Sequence, residues 1–212
     1  AQVINRNGEA ANSFYGLEYN GVFTTQEEAD DAGLVNERGL PYGPGDAHFT
    51  DFSGPDGVPD QVIDEHDKVI IGSATPDYYG GASLEAFYGR FHLDMFWQFS
   101  TGGDVYNYLR YQLESMSGFE NQSSAVLNRW VTPGQETDIP RAQWGDPAGN
   151  SAFSTRWIED GSYIRLKQIT LSYEIPQQVG FFRNLAVFVT ATRGGSDGIL
   201  HRDLDQTKRL RV

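Results

Sequence analysis

Cysteine is absent from the 212 residues, so the sequence excludes disulfide bonds and thiolate metal sites. Basic residues are few: 16 lysines and arginines stand against 29 aspartates and glutamates, which gives a formal net charge of −13. Proteins that bind nucleic acid neutralise its phosphates with basic side chains. We therefore expect no nucleic-acid partner, whereas cation binding is compatible with this charge.

Long hydrophobic runs are also missing. No stretch approaches the roughly 18 consecutive apolar residues of a transmembrane helix, and residues 1–4 lack the basic flank and apolar run of a signal peptide. A membrane β-barrel is not excluded by this, because its strands give a much weaker signal per segment. The 24 glycines, 13 phenylalanines and 11 tyrosines favour β-structure with many turns.

The clearest pattern is an alternation of apolar and polar residues over residues 78–100. Apolar side chains stand at alternate positions over 78–88 and again over 91–99, with polar residues between most of them. This period-2 pattern on both sides of Gly89-Arg90 predicts a β-hairpin. The length of its second strand matches the roughly 9–11 residues that a tilted strand needs to cross a bilayer.

Two more strands are predicted over 162–175 and 185–192, joined by a short turn over 176–184. Local signals predict the remaining elements. These are a strand within 13–23, a short helix over 26–32 that starts with the Thr25 and Glu28 capping box and ends at Gly33, a long loop over 34–60, and a long excursion over 101–161 that contains a helix or strand over 105–116 and a short helix over 124–130.

The alternation allows two all-β folds. In a soluble β-sandwich the apolar face packs on a second sheet, whereas in a membrane barrel it faces lipid and the polar face lines a wet lumen. The pattern alone favours the sandwich, which is the commoner fold. Three features favour the barrel: long loops alternate with short turns, aromatic residues stand at strand ends, and the strands are long.

Residues 46–67 carry seven carboxylates and no lysine or arginine. Like charges at this density repel one another unless they are solvated or neutralised. Ca²⁺ takes about 6–8 oxygen ligands, which aspartates at short spacings around a glycine supply. The loop is therefore either a calcium site or a solvated acidic turn, since its spacing departs from the EF-hand pattern. The ligands in the calcium interpretation are Asp51, Ser53, Asp56, Asp60, Asp64 and Asp67.

Two catalytic signatures are missing: the sequence contains no H-E-x-x-H and no glycine-rich phosphate loop. Glu114, Glu159 and Asp160 would form a carboxylate pair only if the fold brought them together, and solvated loop charges are the commoner case. We expect a protein that is not an enzyme.

Several segments, taken together and in order, resemble the SusC/RagA-like TonB-dependent outer-membrane transporters. The resemblance covers about residues 8–192. The matching segments are Ser13–Leu17, Gly21–Glu28, the acidic series from Gly45 to Gly72, Gly103–Ser115, Asn128–Trp130, Asp138–Arg141 and, most specific of all, Arg156–Lys167.

This resemblance implies that the chain is part of a large antiparallel transmembrane β-barrel whose long extracellular loops contain short helices. It also implies the outer membrane of a Gram-negative cell, with outer-membrane lipid around the strands. The implied activity is import of oligosaccharides or peptides, driven by TonB, under a lid formed by a SusD-like surface lipoprotein. The family's plug and TonB box are not in this sequence, so we expect a C-terminal part that would reach TonB through the missing N-terminal region.

In this interpretation the turns 89–90 and 176–184 are periplasmic and the 101–161 excursion is extracellular. Trp130, Trp144 and Trp157 then either stack on a sugar substrate or pack the loops internally.

Residues 193–212 depart from the family, because they contain no aromatic residue and no alternation. We expect residues 1–192 to be a partial C-terminal barrel region and residues 193–212 to be an aberrant, non-native tail. The alternative function is a soluble, calcium-stabilised β-domain that binds glycans or another protein.

Overall fold

The structure is a computed structural model that describes residues 2–175 and 185–193. Within them the chain forms short and long β-strands with two α-helices and three 3₁₀ helices. None of the described helices is long and apolar enough to cross a membrane. The strands in chain order are β1 (Val3–Ile4), β2 (Ser13–Gly16), β3 (Tyr19–Val22), β4 (Val35–Asn36), β5 (Ala47–Phe49), β6 (Val62–Ile63), β7 (Val69–Ser73), β8 (Tyr78–Tyr88), β9 (Phe91–Thr101), β10 (Asp104–Tyr106), β11 (Ile158–Asp160), β12 (Tyr163–Ile175) and β13 (Leu185–Thr192). The helices are α1 (Gln26–Ala32), α2 (Tyr108–Glu114) and the 3₁₀ turns Glu65–Asp67, Ser124–Asn128 and Thr155–Trp157.

Helix α1 begins and ends as predicted. Thr25 is its N-cap, and the Thr25 side chain accepts a hydrogen bond from the backbone N–H of Glu28. The Glu28 carboxylate accepts a hydrogen bond from the backbone N–H of Thr24 at 2.7 Å. In a capping box this bond comes from the N-cap residue itself, which here is Thr25. Gly33 ends the helix with φ 63°, a left-handed conformation that glycine adopts without steric cost.

The chain divides into two compact units, and the first joins residues 1–75 to residues 103–160. Its small sheets are β1–β2–β7, β3–β5, the parallel pair β4–β6, and β10–β11. The predicted loop over 34–60 and the predicted excursion over 101–161 are therefore parts of a packed body, in which β10 and α2 share the 105–116 segment. Its main core cluster contains Leu17, Phe23, Ala29, Leu34, Tyr42, Ala47, Phe49 and Ile63.

The second unit holds the long strands, which form one antiparallel sheet in the order β13–β12–β9–β8. The predicted hairpin is confirmed, with β8 and β9 paired from Tyr88 opposite Phe91 to Tyr78 opposite Thr101. The strands predicted over 162–175 and 185–192 are also present, as β12 and β13. The predicted turn over 176–184 and the tail from residue 194 lie outside the described residues.

One face of this sheet is apolar across all four strands. The strand register places Leu84 beside Met95 and Met95 beside Ile169, and Leu171 lies between Leu93 and Val189. The other face is mixed, and His92, Asp94 and Thr170 stand on it. The apolar face consists of Ala82, Leu84, Ala86, Tyr88, Phe91, Leu93, Met95, Trp97, Phe99, Ile164, Leu166, Ile169, Leu171, Tyr173, Ile175, Val187, Val189 and Ala191.

A β-bulge at Lys167 keeps β12 in phase with its neighbours. Leu166 pairs with Trp97 and Gln168 pairs with Phe96, so Lys167 is the extra residue. Leu166 and Ile169 are three positions apart and would point to opposite faces of a regular strand. Because of the bulge both lie on the apolar face, which explains why the alternation seen in the sequence starts only at Ile169.

Candidate functional site

The apolar face of the four-stranded sheet is a candidate functional surface. Leu84, Leu171 and Val189 on this face are 49%, 47% and 57% exposed. A contiguous exposed apolar surface marks contact with a membrane or with another protein. Strands β8 and β9 have 11 residues each and β12 has 13, which is enough to cross a bilayer, since a tilted strand needs roughly 9–11.

The acidic loop is organised around the fully buried carboxylate of Asp67. Its Oδ1 accepts hydrogen bonds from the backbone N–H groups of Phe52 and Ser53, at 2.8 and 3.1 Å, and its Oδ2 accepts from the N–H of Asp64 at 2.9 Å. A carboxylate that receives three backbone donors is compensated without a cation. Asp67 therefore acts first as a structural brace that ties the two ends of the loop together.

Three of the other predicted calcium ligands, Ser53, Asp60 and Asp64, also form hydrogen bonds with the backbone. Asp64 accepts from the N–H of His66 at 2.7 Å, and this bond is the main cause that lowers the pKa of Asp64. Asp60 accepts from the N–H of Val62 at 3.0 Å. Asp56 is exposed, and the Ser53 hydroxyl donates to the carbonyl of the next residue at 3.2 Å.

Asp51 differs from its neighbours. Its Oδ2 accepts from the N–H of Gln61 at 2.7 Å, but its Oδ1 is buried and has no hydrogen-bond partner among the described residues. Burial raises the pKa of Asp51, the bond from Gln61 opposes this, and the charge of Asp67 adds to it. Within residues 2–175 and 185–193 no group of three or more histidine, aspartate or glutamate side chains is arranged to hold a metal ion. The calcium site stays a prediction.

The three predicted sugar-stacking tryptophans lie in different environments. Trp157 is fully buried, so it packs the loops internally and has no ring face open to a ligand. Trp130 is half-buried, and its Nε1 donates to the carbonyl of Thr24 at 3.2 Å. Trp144 is 66% exposed and packs edge-on against Phe119, with 4.3 Å between the ring centroids. Trp144 is the member of this set with the most open ring surface.

A buried ion pair, which the sequence did not reveal, connects the acidic segment to the excursion. Asp46 is 1% exposed, and Arg141 donates to its two oxygens from Nε and Nη2, both at 2.8 Å. Asn150 and the N–H of Gly43 supply two further donors at 3.0 and 2.9 Å. Asp46 and Arg141 are 95 positions apart, so no local signal in the sequence links them.

Two of the three acidic residues considered for a carboxylate pair, Glu114 and Glu159, meet around a cation instead. Arg110 donates from Nε to Glu114 at 3.1 Å and from Nη1 to Glu159 at 3.4 Å. The guanidinium bridges the two carboxylates, so this arrangement is a salt-bridge network rather than an acid–base pair.

A cavity of about 220 Å³ opens within the first unit. It is lined by apolar residues that include Leu17, Tyr42 and Ile63, and by charged residues of both signs. The charged lining residues are Glu37, Arg38, Asp64, Glu65, Lys68 and Asp146. A cavity with this lining suits a small amphipathic group better than a purely apolar one.

The fold of the chain is similar to that of solved structures of a peptide transporter. The match to the RagAB peptide transporter covers 85% of this chain and 19% of the transporter chain, with a TM-score of 0.58 and 26% identity. The match to the RagAB peptide importer in its "closed-closed" state also covers 85% of this chain and 19% of the other chain, with a TM-score of 0.58 and 25% identity. No family model matches the chain.

Sequence relatives give the same assignment. The chain is 34% identical over 175 residues to TonB-dependent receptor P3 of Formosa agariphila, and 31% identical over 188 residues to TonB-dependent receptor P26 of the same organism. The matches cover 82% and 87% of this chain but only 16% and 18% of the receptors. The chain is therefore related over most of its length to TonB-dependent receptors, and the resemblance drawn from its motifs is confirmed.

Proposed function

We propose that the chain is a segment of a TonB-dependent outer-membrane importer, and that strands β8, β9, β12 and β13 form part of its barrel wall. The continuous apolar face of these strands carries the proposal, and the relation to TonB-dependent receptors supports it. The alternative, a soluble β-sandwich, packs such a face against a second sheet. Leu84 and Leu171 are instead about half exposed, at 49% and 47%.

Cysteine scanning across one strand tests this placement. Leu171 and Ser172 are adjacent in β12 and stand on opposite faces of the sheet. In a cysteine-free variant of the complete protein in membranes, we expect a spin label at Leu171→Cys to be reached by oxygen dissolved in lipid. A label at Ser172→Cys is the matched control and should be reached by a water-soluble relaxation agent. Equal access of the aqueous agent to both sites would contradict the barrel wall.

The proposed substrates are oligosaccharides or peptides. The similar solved structures are of a single system, RagAB, which is named a peptide transporter or peptide importer. The exposed Trp144 offers an apolar ring surface of the kind that stacks on a sugar. Uptake of labelled oligosaccharide and of labelled peptide by cells with and without the complete protein separates the two. If deletion of the gene reduced the uptake of neither compound, the importer assignment would be contradicted.

The proposed partners are a SusD-like surface lipoprotein and TonB. The paired name of the RagAB system supports a two-component assembly. Purification of the complete protein from membranes in mild detergent should recover such a lipoprotein in a stoichiometric complex. Uptake that continues after TonB is removed would contradict energy coupling through TonB.

Calcium binding in the acidic loop is a separate proposal. Asp56 and Asp60 are the exposed residues among the predicted ligands, so their replacement by asparagine should perturb the fold least. Calorimetric titration of the complete protein with Ca²⁺ should release or absorb heat that the double Asp→Asn variant lacks. The absence of binding heat, together with no difference between the proteins, rejects the site.

A further inference from the structure

Arg156 is a buried cation whose hydrogen bonds are incomplete. The residue is 7% exposed, and its Nε and Nη2 atoms have no acceptor among the described residues. Burial lowers the pKa of the Arg156 guanidinium, yet an arginine remains charged in proteins. A buried charge without hydrogen-bond partners is costly, so a group that accepts these N–H bonds would be strongly favoured.

Aromatic rings flank the Arg156 guanidinium, but they accept no hydrogen bonds from its Nε and Nη2 atoms. Its central carbon lies 4.3 Å from the ring centroid of Trp157 and 5.8 Å from that of Tyr19. Such cation–π contacts compensate part of the charge. They do not replace in-plane acceptors for Nε and Nη2, because hydrogen bonds to those atoms lie in the plane of the guanidinium.

Two carboxylates, those of Glu114 and Asp138, act electrostatically on the Arg156 guanidinium, but neither forms an ion pair with it in the described part of the chain. Glu114 accepts from Arg110 Nε at 3.1 Å and from the Ser123 hydroxyl at 3.3 Å. The acceptor for the Arg156 edge therefore has to come from another group.

The same chain shows what this edge of a guanidinium binds. Arg141 uses the equivalent atoms, Nε and Nη2, to hold both oxygens of Asp46 at 2.8 Å. The two parallel N–H groups match the two oxygens of a planar carboxylate. The chemistry of the free Arg156 edge is thus that of a bidentate carboxylate receptor.

We propose that Arg156 is a carboxylate-binding residue whose Nε and Nη2 atoms together receive one carboxylate group. The carboxylate comes either from a ligand, such as the end of a peptide or an acidic sugar, or from an aspartate or glutamate of the longer protein, of which relatives indicate that this chain spans about a sixth. This role goes beyond the importer function, which assigns nothing to Arg156. It does not depend on which substrate is imported.

A structure of the complete transporter, determined with and without added sodium formate, separates the two sources. A side-chain carboxylate of the same polypeptide on Nε and Nη2 in both maps supports the internal source. A planar ligand that is present only with formate supports the ligand source. Water alone on both nitrogens in both maps overturns the proposal.

Formate binding to variants provides the second measurement, and it uses the complete protein in detergent. Arg156→Lys keeps the positive charge but removes the two parallel N–H groups on Nε and Nη2. Arg129→Lys, at a half-buried arginine elsewhere in the same unit, is the matched control. For a ligand site we expect formate affinity to fall about tenfold or more in Arg156→Lys and to stay unchanged in Arg129→Lys. Formate binding that Arg156→Lys leaves unaltered counts against the ligand source, whether or not the importer function holds.

Discussion

Removal of Arg141 should open the first unit at the Asp46 carboxylate. Asp46 is 1% exposed and accepts bonds at 2.8–3.0 Å from Arg141 Nε and Nη2, from Gly43 N and from Asn150 Nδ2. Arg141→Ala removes two of these donors and the compensating charge. The Asp46 carboxylate then keeps only the hydrogen bonds from Gly43 N and Asn150 Nδ2.

The size of the effect follows from this geometry. Breaking a buried ion pair by removing one partner costs about 3–5 kcal/mol. The Arg141 side chain is 36% exposed, and Gly43 and Asn150 still donate to Asp46. We therefore expect the free energy of local opening to fall by about 2–3 kcal/mol. Because each 1.4 kcal/mol is a factor of ten, exchange through that opening should accelerate roughly 30- to 150-fold.

Hydrogen–deuterium exchange of the complete transporter measures this directly. The reporter amides are those of Phe23, which donates to the Asp46 carbonyl at 3.0 Å, and Ala47, which donates to the Asn150 side chain at 2.8 Å. Both should exchange faster in Arg141→Ala. Peptides from the second unit should be unchanged.

Two controls make the result decisive. Arg129→Ala removes another arginine of the same unit, whose Nη1 donates to the carbonyl of Val126 at 3.2 Å, and should leave the reporters nearly unaltered. In an Asp46→Asn background the cost of losing Arg141 should shrink, since no buried charge remains. Reporter exchange in Arg141→Ala that matches Arg129→Ala would refute the claim that this ion pair stabilises the unit.

Three further predictions concern the bulge, the helix cap and the acidic loop. Deletion of Lys167 removes the phase change in β12 and should sharply lower the yield of complete protein in the outer-membrane fraction, whereas Lys167→Ala should not. Thr25→Ala removes the N-cap bond and should destabilise α1 by about 1 kcal/mol, seen as faster amide exchange in that helix. Burial raises the pKa of Asp51, so its neutral form stabilises the loop below the ordinary aspartate pKa, and this stabilisation is lost as the pH rises through the raised value. Asp51→Asn mimics the neutral form, so it should flatten the pH dependence of loop exchange. An equally steep dependence in the variant would point to another group.

The sequence by itself determined the elements whose signals are local. The alternation over 78–88 and 91–99 predicted β8 and β9 because successive side chains of a strand point to opposite faces. The Thr25 cap and Gly33 marked the two ends of α1 within a few residues of chain. The ordered motifs also indicated the relation to TonB-dependent receptors, which the relatives confirm.

Other features depended on tertiary structure, because the partners lie far apart in the chain. Asp46 looked like one more carboxylate of an acidic loop until the fold placed Arg141 against it. For Trp157 the sequence left sugar stacking and internal packing both open, and the fold buried the side chain. The Lys167 bulge follows from pairing with β9 and not from any residue preference. The apolar strands were thus readable from the sequence, since period-2 alternation is a local property of a strand. The contacts that turn two predicted loops into a packed unit were not, since a contact between residues 95 positions apart leaves no local pattern in either segment.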